Sequence, residues 1–79
     1  MKYIEELEPG DCFELSGNYY VVSRDFKNNG HKMCLSIVDG FSKWISPETI
    51  TNPIDVFTTD KDSHIIAIKE RKKQNDLSN

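Results

Sequence analysis

Apolar and polar positions alternate along this chain in short runs, and a turn signal bounds each run. In Cys12-Phe13-Glu14-Leu15 the alternation puts Phe13 and Leu15 on one face and Cys12 and Glu14 on the other, the two-residue period of a strand. Pro9-Gly10-Asp11 precedes this run and Ser16-Gly17-Asn18 follows it, so the pattern predicts a strand, a tight connection and a second strand from Tyr19 to Val22. A slip of one residue there would exchange the two faces. Placing Tyr20 and Val22 inward, with Tyr19, Val21 and Ser23 outward, leads into the polar Arg24-Asp25 pair without burying Asp25, and this is the expected register.

Asn29-Gly30, within the polar stretch Lys27 to Lys32, tolerates the positive φ angles of a tight hairpin and turns the chain into a third strand. That strand, Met33 to Val38, is apolar everywhere except Ser36, which predicts a central position touched on both faces. Asp39-Gly40 is a second hairpin signal, leading to a fourth strand from Phe41 to Ser46 with Phe41 and Ile45 inside and Trp44 outside. Ser46-Pro47-Glu48-Thr49 predicts a single helical turn, since Ser caps, Pro suits the first turn and Glu suits its positive end.

Ile50 to Phe57 reads as a fifth strand confined by Pro53 to a sheet edge or bulge, because proline donates no ladder hydrogen bond. His64 to Ile68 predicts a sixth strand paired with Val56 to Thr59, a helix started by Ser63 being the competing reading. At the N-terminus Tyr3, Ile4 and Leu7 have helical spacing, but Pro9 halts the run. Helix or extended arm, Ile4 and Leu7 are expected to cover one end of the core.

Five to six short antiparallel strands and one short helical turn predict a mainly all-β fold, a small barrel or roll over residues 1–68, followed by a polar, disordered tail over 69–79. The order resembles an SH3-like barrel. The pattern Pro9-Gly10-Asp11-x-Phe13, Gly17-x-x-Tyr20-x-Val22, Gly40 and Ile45-x-Pro47-x-Thr49-Ile50 is similar to the small SH3-like β-barrel proteins that bacteriophages encode, over residues 7–57. These are turn and core residues. The resemblance implies a phage or mobile-element origin, hence a host cytoplasm, and carries over no catalytic residue.

Length narrows the picture further, since 79 residues supply one core and a thin stability margin that self-association would widen. With two cysteines and a charged segment directly after Met1, a reduced, cytoplasmic protein is expected, and no apolar run is long enough to span a bilayer. Charge is uneven: residues 1–60 hold ten acidic and five Lys or Arg side chains (5 − 10 = −5), and residues 61–79 hold five basic and three acidic (5 − 3 = +2). An acidic body disfavours nucleic acid, whose affinity comes mainly from cations displacing counterions. A basic or mixed protein partner, or a small ligand held locally, agrees better with it.

Motifs of chemistry are sparse. His31 and Cys34 are three residues apart across a turn and a strand start, with no third group to orient them, so no catalytic residue is assigned. Cys12, Cys34, His31 and His64 lack the close pairs of a zinc site, and the four glycines are scattered rather than gathered into a phosphate loop; no metal and no cofactor is expected. The aromatics carry more. Eight are too many for so small a core, and Tyr19 and Trp44 fall outward, with Arg24, Lys43 and His31 as polar companions. Tyr, Trp and Arg dominate interface hot spots, and the same side chains stack on nucleobases. The leading expectation is a non-enzymatic binding module that modulates a host protein through an aromatic patch, with homo-oligomer formation. A binder of a small nucleotide-like ligand is the alternative, a nucleic-acid-binding barrel ranks below it, and an enzyme ranks last.

Overall fold

The computed structural model describes residues 1–69. Among the described residues there are eight antiparallel strands: β1 (Lys2–Tyr3), β2 (Cys12–Leu15), β3 (Asn18–Phe26), β4 (Lys32–Ser36), β5 (Ser42–Ile45), β6 (Ile50–Ile54), β7 (Phe57–Thr59) and β8 (Ile65–Ala67). Six of them form one sheet in the order β1-β6-β2-β3-β4-β5, and β7 and β8 form a separate ribbon. The β2–β3 connection is a two-residue hairpin. Ser16 and Gly17 both hold positive φ, 54° and 83°, the mirror-image turn whose twist matches the flanking strands.

The expected register holds. Phe13 pairs with Tyr20 and Cys12 with Val21, so Phe13, Tyr20 and Val22 face the core with Cys34, Ile45, Ile4 and Leu7. The Phe13 and Tyr20 rings stack at 5.4 Å between centroids. Ile4 and Leu7 are buried, as expected of an end cover, and the 3-10 turn Ile4–Glu6 that carries them is held by the Glu6 carboxylate accepting the Tyr3 N–H at 2.9 Å.

Several expectations need correction. The sheet does not close into a barrel: β1 and β5 are unpaired with each other, and past β1 the Ile4 and Glu5 N–H groups donate to the Thr49 and Pro47 carbonyls of the β5–β6 connection, continuing the β1–β6 pairing. There are more strands than five or six, because β1 pairs with β6 over two residues and the run Ile50 to Phe57 breaks into β6 and the start of β7. Ser46 to Thr49 is an isolated turn, with Thr49 N–H on the Ser46 carbonyl, and the helical turn lies at Ile4–Glu6 instead. β4 stops at Ser36, leaving Val38 80% exposed on the hairpin. Phe41, expected inside, is 75% exposed: its N–H is taken by Asp39 Oδ1 at the hairpin, and among the described residues no strand lies beyond β5 to cover it.

Two other expectations are met. Pro53 sits opposite Phe13 on the part of β6 that extends past β1, where the missing N–H costs no ladder bond. Residues 65–67 are strand, paired with Phe57–Thr59, and not helix. The ribbon is tied back to the main sheet by Lys69, whose ammonium donates to the Pro9 carbonyl at 2.9 Å and pairs with Asp11 at 3.0 Å. Lys69 is therefore anchored rather than part of a loose tail; the remainder of the expected tail, 70–79, lies outside the described residues.

Candidate functional site

Strand parity assembles an apolar surface on the side of the sheet opposite the core. Val21 stands across from Leu35, Leu35 from Ser42 and Met33 from Trp44, and the Ile37 N–H donates to the Tyr19 carbonyl, which brings Ile37 beside Tyr19. Val21, Met33 and Leu35 are half-buried, while Tyr19, Ile37 and Trp44 are 46%, 37% and 37% exposed. Tyr19 and Trp44 occupy opposite corners. Four residues along the strands and two strands across separate them by about 16 Å, so one flat ring cannot stack on both.

The polar companions read from the sequence are dispersed. Lys43 pairs with Cys34 on the core side, its ammonium 5.8 Å from the Tyr20 ring, and so faces away from Trp44. Trp44 is met instead by Lys27, with the ammonium 4.6 Å from the ring centroid, a cation–π contact that chain neighbours of Trp44 could not reveal. Arg24 lies in an irregular part of β3, where four residues from Val22 to Phe26 span two on β4, and lines a cavity of about 480 Å³ with Pro9, Ser23, Asp25, Phe26 and Lys32. His31 ends the β3–β4 hairpin, its backbone N–H donating to Asn29 Oδ1 and its Nδ1 buried without a hydrogen-bond partner. Sequence reasoning placed Val21 outward with Tyr19 but missed Met33, Leu35 and Ile37 as members of the same face. Their parity with Tyr19 and Trp44 was the available signal.

The two thiols sit on opposite faces, Cys34 in the core and Cys12 on the other side, so they share neither a metal nor a disulfide. Burial raises the Cys12 thiol, with the Asp11 charge adding to it. Burial also pushes Cys34 up, from 9.0 to about 11, against the lowering effect of Lys32. The sign of the stability effect follows from linkage. Below pH 9 this thiol is neutral folded or unfolded; between pH 9 and about 11 the unfolded chain releases its proton first, so stability falls as pH rises through that window. Urea midpoints measured from pH 8 to 11 are expected to decline, and Cys34→Ala to remove part of the decline. An unaltered slope in the variant would assign it elsewhere.

Asp60, Asp62 and His64 bring ligand atoms within 4.8 Å of one another on the β7–β8 loop, all exposed. Hydrogen bonds within the loop account for this cluster: Asp60 Oδ1 accepts the Asp62 and His64 N–H groups, and Asp60 Oδ2 lies 3.4 Å from His64 Nδ1. The His64 N–H is the main cause holding the Asp60 carboxyl below its ordinary range. Among the described residues no helix is long and apolar enough to cross a membrane. No protein-family model, curated protein or solved structure matches this chain.

Proposed function

We infer that this chain is a non-enzymatic binding module that takes a protein partner on the Tyr19–Trp44 face of its sheet. One observation carries the reading: six apolar side chains from β3, β4 and the β4–β5 region form a continuous surface that the described chain leaves partly open to water. A continuous apolar patch of this kind is the ordinary mark of an interaction site, whereas single exposed apolar residues are not. Tyr and Trp at its corners supply large contact areas at low entropic cost, and Lys27 over Trp44 gives one corner a cationic rim. An apolar anchor with acidic or mixed charge around it suits that corner. The acidic remainder of the body suits a mixed or basic partner elsewhere.

The SH3-like assignment rests on the antiparallel strand order and the turn spacing, and the phage and host-modulating setting rests on the turn-and-core resemblance. The test uses affinity capture from the natural host with wild-type protein, Trp44→Ala and an Asp62→Asn control. A host polypeptide retained by wild type and the control, and reduced at least tenfold by Trp44→Ala, is expected of an aromatic anchor. Its addition should also shift the emission of Trp44, the single tryptophan. Equal retention by Trp44→Ala would place the contact on another surface.

A further inference from the structure

Away from the Tyr19–Trp44 face, the irregularity in β3 has produced a second concave feature with different chemistry. The register shifts between Val22 and Phe26, so Ser23, Arg24 and Asp25 loop out against a single residue of β4. Bulges of this type redirect side chains and recur beside functional sites. Here they open the 480 Å³ cavity, within the range of small-molecule pockets, and line it with Ser23, Arg24, Asp25, Phe26, Lys32 and Pro9.

Charge gives the cavity a sign. Residues 1–60 hold twice as many acids as bases, yet two of the five bases, Arg24 and Lys32, meet at this wall against the one carboxylate of Asp25. Neither cation has a carboxylate within ion-pair distance among the described residues. Lys32 is half-buried, and its ammonium donates to the carbonyl of Leu7, which offers a lone pair but no countercharge. A partly desolvated cation without a counterion is costly, and a bound anion would offset that cost. The Ser23 hydroxyl accepts the Asp25 N–H at 3.1 Å, leaving its own O–H hydrogen to donate. Phe26 is 73% exposed although it stands directly across from Lys32, and with the Pro9 ring it gives the cavity an apolar side.

We propose that this cavity binds a small organic anion, a carboxylate or phosphate monoester whose head meets Arg24, Lys32 and the Ser23 hydroxyl while a flat apolar body lies against Phe26 and Pro9. Arg24 supplies a planar fork that matches two anion oxygens, and Lys32 a point charge. The site shares no residue with the Tyr19–Trp44 face, so either assignment can fail without the other.

Titration of the full-length, ¹⁵N-labelled protein with phenyl phosphate, benzoate, inorganic phosphate and phenol, followed by amide shifts, tests the proposal. Phenyl phosphate or benzoate is expected to move the amides of Ser23–Phe26 and Lys32 saturably, and the tighter of the two identifies the head group. Inorganic phosphate and phenol should each bind at least tenfold more weakly, because each lacks half of the recognised chemistry. Arg24→Gln should weaken binding tenfold or more, because the fork's two charge-assisted hydrogen bonds are lost together. Lys32→Gln risks disturbing the Leu7 contact, so the Arg24 variant is the deciding one. Absence of saturable shifts, shifts unaltered by Arg24→Gln, or shifts centred on Lys27, Lys43 or Lys69 would overturn the assignment.

Discussion

Phe13→Ala is expected to cost about 3–5 kcal/mol, a large share of the roughly 5–15 kcal/mol total stability usual for a folded domain. Phe13 is fully buried, stacks on Tyr20, and lies on β2 between β3 and β6, so its removal opens a void that neither neighbouring strand can fill. With an m-value near 1 kcal/mol per molar urea for so short a chain, the midpoint should fall by about 3 M or more. Phe41→Ala is the matched control. The same side chain is 75% exposed there, and its loss should stay within about 0.5 kcal/mol. Equal costs at the two positions would show that the register assigned to β2 or β5 is wrong.

Ile4→Ala should be the second most damaging change, at about 2–5 kcal/mol. Ile4 is completely buried in the core cluster although only a two-residue strand and a 3-10 turn hold it there. Its backbone N–H reaches the Thr49 carbonyl at 2.9 Å, extending the β1–β6 pairing into the β5–β6 connection. Truncation therefore removes a core side chain and loosens the short β1–β6 pairing together. Amide exchange should quicken at Ile4, Glu5 and the adjacent β6 residues in step with the lower midpoint. Ile65→Ala, on the exposed ribbon, should leave both readings nearly unaltered. A loss of stability without faster exchange at Ile4 would mean that the Ile4 side chain does not hold the N-terminal segment against β6.

The candidate surfaces differ in how far residue order could reveal them. Trp44 and Tyr19 were legible as outward because the two-residue period fixes direction once Ile45, Tyr20 and Val22 are inward. Their separation was not, since it depends on which rows of β3 and β5 align through β4. Lys43 was misgrouped with Trp44 because neighbours in a strand point to opposite faces, and Lys27 was overlooked because it reaches Trp44 across the β3–β4 hairpin. The cavity had no local signature. Arg24 and Lys32 are eight positions apart, and Pro9 joins them only after β2 and β3 have paired.

What the sequence by itself determined is local. Ser16-Gly17, Asn29-Gly30 and Asp39-Gly40 fixed the hairpins, alternation fixed which faces of β2 and β3 are buried, and Pro53 fixed a place for β6 at an open edge. These follow from φ preferences, side-chain period and hydrogen-bond valence, which act within a few residues. The tertiary structure decided the rest: that the sheet stays open while Ile4 is drawn into its core, that Phe41 is left outside while Cys12 is buried on the face away from the core, and that Lys69 ties the ribbon to the Pro9–Asp11 turn. Those outcomes depend on how far six strands curl and on which distant carbonyls and carboxylates come within reach, and no short-range preference encodes such distances.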